Sequence, residues 1–255
     1  MNIRKSKVAL ITGCSKRIGR SIAINLAKQG LDIACHYNKS KKESENLKKE
    51  IISLGVRAAS FKLDLQNTKM IKPFFEKINK EFGKVEILIN NASTFELDSL
   101  KTSTLKSYDK HLDVNLKAPF FLSKFFLENL RGKKGNIINI LDQRVINISP
   151  YFTTYTISKA ALSTLTKSLA LSLAPKVRVN AIAPGPTLKS KRQSNDEFNR
   201  QILRTPLKKM VSLNEINNGI DFLINNETLT GQIIFFDSGQ NMGWAHTKSE
   251  KFIDD

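Results

Sequence analysis

Asp142, Tyr155 and Lys159 are the residues of this chain whose types and spacing suit chemistry. Tyr155 and Lys159 stand four apart, so a helix would set a phenol and an ammonium on one face. Asp142 falls just past residues 136–141, a short Ile-rich apolar run that reads as a buried strand. In a parallel α/β sheet, residues beyond a strand's C-terminal end face the ligand crevice. A phenol, an ammonium and a carboxyl around one cavity are groups that can hold a proton and release it to a substrate atom.

These groups need a scaffold. Residues 7–11, 31–37, 58–63, 85–89, 136–141, 177–183 and 232–237 are apolar runs of strand length. Helical spacing lies between them: Ile18, Ile22, Ala23, Leu26 and Ala27 ahead of Gly30, then segments 41–54, 71–82, 108–130, 155–174 and 213–224. Strands alternating with helices predict an α/β fold, a Rossmann-type doubly wound, seven-stranded parallel sheet with flanking helices and right-handed crossovers. No repeat, low-complexity tract or linker divides residues 1–255, so a single domain is expected. Residues 184–212 read as a long polar loop, of the kind that covers a substrate.

Composition narrows the function classes. A chain of 255 residues, 40% hydrophobic and 25% charged, is expected to be a globular domain, neither disordered nor in a membrane. Its basic N-terminus runs straight into a turn motif without a small-residue cleavage site, and reads as a first strand rather than a signal peptide. Cys14 and Cys35 form no CxxC pattern, which suggests reduced thiols in the cytoplasm. His36, His111 and His246 are scattered, which argues against a zinc cluster and for no metal. The net charge of +18 raises the question of nucleic acid, but the basic runs at 39–49, 101–110, 131–134 and 189–209 lack interleaved aromatics. They read as solvated surface, with neither nucleic acid nor membrane as partner.

The turn Thr12-Gly13-Cys14-Ser15-Lys16-Arg17-Ile18-Gly19 joins the first strand to the first helix. Glycines there permit close backbone approach, and a helix N-terminus attracts a pyrophosphate. At the end of the second strand, where a carboxylate would bind the ribose of NAD, stands His36-Tyr37-Asn38-Lys39-Ser40. Lys39 and Ser40, with Arg17 nearby, suit the extra phosphate of NADP, so NADPH is favoured over NADH. Asp64-Leu65 after the third strand suits an adenine edge, and Asn90-Asn91-Ala92 after the fourth sets small residues and amides against the cofactor.

TGxxxRxG, Asn90-Asn91-Ala92, Asn115, Tyr155-xxx-Lys159 and Pro184-Gly185, in this order, resemble the short-chain dehydrogenase/reductase family over essentially the whole chain. The resemblance implies Tyr155 as proton donor, Lys159 as the holder of the nicotinamide ribose that also lowers the Tyr155 pKa, and Asn115 as support for a water-linked proton relay. It places Pro184 and Gly185 against the cofactor and Pro186 over the substrate, and it implies a homotetramer built partly on helices 108–130 and 155–174.

Two departures from the general pattern are informative. Arg17 stands where the phosphate turn usually has its middle glycine, and Asp142 replaces the serine thirteen residues before the tyrosine. Both, with HYNKS, resemble the pteridine reductase branch, which includes dihydromonapterin and dihydrofolate reductases of this fold. There the Arg contacts pyrophosphate and pterin, the Asp works with Tyr in protonation, Phe95 matches the aromatic that sandwiches the pterin, and Ser93 matches a contact to cofactor phosphate and pterin. The expected reaction is NADPH-dependent reduction of a pteridine C=N bond, with Asp142 kept protonated by burial. The alternatives are a carbonyl reductase acting on 3-oxoacyl thioesters or small ketones, and a non-catalytic nucleotide-binding protein. The C-terminal stretch 239–255 is expected to fold over the pocket of its own or a neighbouring subunit.

Overall fold

In a computed structural model, residues 7–243 are described. Seven strands, β1 (Val8–Ile11), β2 (Asp32–Tyr37), β3 (Ala58–Lys62), β4 (Val85–Asn90), β5 (Gly135–Ile140), β6 (Val177–Pro184) and β7 (Ile233–Phe236), form one sheet in the order β3-β2-β1-β4-β5-β6-β7. All pairings are parallel, with Leu10 opposite Ala34 on one side and Leu88 on the other. β1 is buried at every position, because helices cover both faces; its run VALI therefore lacks the alternation of a half-exposed strand.

Eight helices, α1 (Arg17–Lys28), α2 (Lys41–Ser53), α3 (Ile71–Phe82), α4 (Leu105–Leu112), α5 (Ala118–Leu130), α6 (Thr153–Leu173), α7 (Asn195–Leu203) and α8 (Leu213–Asn225), lie among the described residues. One core layer joins Leu10, Leu88 and Ile137 to Phe74, Phe75 and Ile78 of α3 and Leu122 and Phe126 of α5. The other joins Ile11, Ile89 and Ile138 to Ile22 and Leu26 of α1 and Ile216 and Ile220 of α8. The winding of the sheet reverses between β1 and β4, and the crevice beyond their C-terminal ends is where such sheets bind ligands.

Two sequence expectations need correction. The helix expected over 108–130 begins earlier and is broken into α4, a π-helical turn at Asp113–Lys117, and α5. A π turn inserts one residue without disturbing apolar content, so periodicity runs through it; such turns favour functional sites. The loop expected over 184–212 contains α7, none of whose residues is fully buried. Its signal was the capping box, in which Ser194 and Glu197 bond each other's backbone N–H.

Candidate active site

The cofactor end is built on the turn between β1 and α1. Gly13 has φ +64°, and a Cβ there would approach Ala92 Cα to 3.0 Å. A Cβ on Gly19 would collide with Asn91 Nδ2 and stand 2.7 Å from Gly13 O. Asn91 Nδ2 donates to Thr12 O (2.8 Å) and Gly13 O (3.2 Å), while Thr12 Oγ1 accepts from the N–H groups of Asn91 (2.9 Å) and Ala92 (3.0 Å). Thr12 thus ties the ends of β1 and β4 together behind the crevice instead of lining it.

His36 plays a similar part. Its Nδ1 accepts from Gly13 N–H (3.0 Å), which assigns the proton to Nε2, and Nε2–H donates to Leu63 O (3.0 Å). Burial lowers its pKa to about 4. A native value below the unfolded one means that the unfolded chain gains the proton first, so stability falls as pH drops from about 6.5 toward about 4. Urea melts at pH 7 and pH 5 should differ by up to about 2 kcal/mol through this group, with His36→Asn losing that part of the difference. Equal pH dependence in both proteins would contradict this role.

Ser15 is buried and its Oγ has no partner, and the first turn of α1 has no side-chain cap. These donors fit an anion at the helix N-terminus. Arg17 sits at φ +56°, a backbone that favours glycine, and its guanidinium crosses the mouth of the crevice to donate to Leu188 O (3.0 Å) and Lys189 O (2.9 Å). Lys16, Arg17, Ile18, Gly19, Asn38, Lys39, Asp64 and Leu65 line a cavity of about 1130 Å³, together with parts of His36. That exceeds the roughly 300–1,000 Å³ of a single small-ligand site and leaves room for a second ligand. Of the expected cofactor residues, Thr12, Ser15, Tyr37 and Ser40 do not line it. Tyr37 is buried in β2, and Ser40 stands just before α2 without a side-chain bond to its first turn.

At the other end, Tyr155 Oη donates to Asp142 Oδ2 (2.9 Å), and Lys159 Nζ donates to Ile140 O (2.7 Å). Asp142 lies just past β5, and the first turns of α6 carry Tyr155 and Lys159 toward it, as their spacing predicts. Lys159 is 2% exposed, and burial lowers its pKa to about 8, partly opposed by Asp142. Tyr155 departs from expectation. Burial, then the charge of Asp142 and the hydrogen bond to it, raise its pKa well above 10, with Arg144 and Ser93 opposing. The expected lowering by Lys159 does not govern this state, because the phenol bonds a carboxyl while the ammonium bonds a carbonyl. Asp142 also accepts from the Arg144 N–H (2.9 Å) and guanidinium, so each of its bonds here uses it as an acceptor.

Asn115 is fully buried beneath the cavity, within the π turn. Its Nδ2 donates to Thr94 O (2.9 Å) and Ser158 Oγ (3.0 Å), and its Oδ1 accepts from Thr94 N–H (2.8 Å) and Ser93 Oγ (3.2 Å). The side chain is thereby occupied in fixing the segment after β4. Ser93, Phe95, Pro184, Gly185 and Pro186 line the cavity as expected, as do Asn91 and Ala92. Phe95 is 36% exposed, and one of its faces stacks on Phe152 at 4.5 Å and 9°. Phe152 and Arg144 were missed. Phe152 holds φ +62°, which nothing in its neighbours announces, and Arg144 reads in sequence as one more surface cation.

Among the described residues no helix is long and apolar enough to cross a membrane, and no group of three His, Cys, Asp or Glu gathers as a metal site. The expectation for stretch 239–255 falls mostly on 244–255, outside the described residues.

Comparison with known proteins adds four findings. The family model for short chain dehydrogenase matches residues 7–200. The 3-oxoacyl-[acyl-carrier-protein] reductase FabG of Staphylococcus aureus is 32% identical over 246 residues, covering 94% of this chain and all of that protein. The crystal structure of FolM alternative dihydrofolate reductase 1 from Brucella suis, in complex with NADP, has TM-score 0.90 and 36% identity over 94% of this chain and 97% of the other. A short chain dehydrogenase from Burkholderia cenocepacia, also in complex with NADP, has TM-score 0.87 and 29% identity over 93% and 99%.

Proposed function

This chain belongs to the short-chain dehydrogenase family, and from that premise we propose that it is an NADPH-dependent reductase of a C=N bond in a pteridine of the dihydromonapterin, dihydropterin or dihydrofolate type. The observation that carries the reading is the hydrogen bond from Tyr155 Oη to Asp142 Oδ2, at a position where a serine is usual. Similarity to a dihydrofolate reductase structure supports it. The uncapped start of α1, Arg17 and the carboxylate-free end of β2 with Lys39 fit NADP.

When bound, NADPH supplies the hydride to the ring carbon. Tyr155 gives its hydroxyl proton to the adjacent ring nitrogen, so the C=N bond becomes CH–NH. The phenolate then regains a proton by way of Asp142, whose carboxyl is in hydrogen-bond reach of the phenol and in contact with the cavity. A serine hydroxyl neither takes up nor returns a proton readily at neutral pH, which is why the carboxyl suits a nitrogen that must end protonated. Lys159, fixed by Ile140 O, holds the ribose and keeps a positive charge beside the phenol. Phe95 offers a flat wall for the ring system.

The second reading is reduction of a 3-oxoacyl thioester, favoured by the similarity to FabG. Purified protein should consume NADPH with dihydromonapterin or dihydrofolate; turnover of acetoacetyl thioester alone would reject the pteridine reading. The same proposal places the protein in the cytoplasm, with Cys14 and Cys35 as free thiols, and assembles it as a homotetramer over the exposed Phe120 and Leu127 of α5 and Ile157 and Leu171 of α6.

A further inference from the structure

Arg144 lies in the short 3-10 turn Gln143–Val145 directly after Asp142. Its backbone N–H and guanidinium converge on the same carboxyl: N–H to Oδ1 at 2.9 Å, Nη1 to Oδ1 at 3.3 Å and to Oδ2 at 3.4 Å. The guanidinium carbon stands 5.6 Å from the centroid of Phe95 and 5.1 Å from that of Phe152. The side chain is only 18% exposed, and its Nε is buried without a partner. One cation therefore touches the hydrogen-bond partner of Tyr155 and both aromatic walls of the cavity.

We propose that Arg144 is a positioning residue for proton delivery, holding Asp142 with Oδ2 turned to Tyr155 and ordering the Phe95–Phe152 wall. A carboxyl group turns about a broad, nearly two-fold torsion, and a backbone N–H on one oxygen with a guanidinium nitrogen shared between both restrains that freedom. Cation–π contact with two rings holds the guanidinium in turn. The inference rests on Tyr155 as the proton donor of the proposed reaction, and not on which substrate receives the proton.

The groups facing Tyr155 are Asp142 and Arg144 from the turn after β5, Ser93 from the segment after β4, the His111 ring of α4 at 6.1 Å, and Lys159 of its own helix, Nζ 5.9 Å from the ring. Arg144 is the cation that opposes the upward pull of Asp142 on the phenol. Its removal makes the phenol a weaker acid, which slows reduction and moves the alkaline limb of the pH profile upward.

The test is steady-state kinetics of Arg144→Gln and Arg144→Lys with whichever substrate the wild type turns over, pterin or 3-oxoacyl thioester. Arg144→Gln should lower kcat about tenfold or more, leave the NADPH KM within about twofold and raise the alkaline limb by about one pH unit. Arg144→Lys should restore most of both. An unchanged pH profile overturns the proposal, whether it comes with wild-type kcat, with a rise in substrate KM alone or with a lower melting temperature alone. Failure of the pteridine reading shows separately, in the substrate choice of the wild type.

Discussion

Tyr155→Phe should lower reduction by about 10²–10⁴-fold, the range for loss of a general acid, while NADPH binding stays within about twofold. The substitution removes one oxygen. Its described partner, Asp142, keeps the Arg144 N–H and guanidinium, so no buried carboxyl is left without a donor. The ring can keep its edge-on contact with Phe95 at 4.7 Å. Turnover and NADPH fluorescence titration together check this. Activity within about tenfold of wild type would mean that another group delivers the proton.

Asp142→Ser should separate the two substrate classes. Pteridine reduction should fall by about 100-fold or more with loss of the carboxyl beside the phenol, whereas reduction of a 3-oxoacyl thioester, the reaction expected with a serine at this position, should persist. The pH dependence has a definite sign. The charge of Asp142 and its hydrogen bond hold the Tyr155 pKa up, so their loss lowers it. The alkaline limb should then move to lower pH, opposite to the shift for Arg144→Gln. Equal losses on both substrates, or none, would remove Asp142 from a role specific to pterins.

The sheet was legible because every strand is a short apolar run between helical segments, a pattern that admits few topologies. Asp142 and Tyr155 were legible as partners, thirteen residues apart, because the end of β5 and the start of α6 must meet at the crevice. Roles set by tertiary environment were not. His36 stands where a cofactor contact is expected, but its ring is drawn behind the turn by Gly13 N–H and Leu63 O, partners 23 and 27 residues away. The same limit hid the Tyr155 pKa: YxxxK places an ammonium on the helix face of the phenol, and only the fold shows that a carboxyl is closer. Phe152 and Arg144 become part of the site through one strained backbone and one turn, neither of which has a periodic signature.

The central claim is that this family member acts on a C=N bond. The most direct measurement is the ratio of kcat/KM for dihydromonapterin or dihydrofolate to that for acetoacetyl thioester, followed as NADPH oxidation, with the tetrahydropterin product identified by mass. The expected result is a ratio of about 100 or more, with one tetrahydropterin formed per NADPH. A ratio below one, or NADPH oxidation by the pterin without a tetrahydro product, would contradict it.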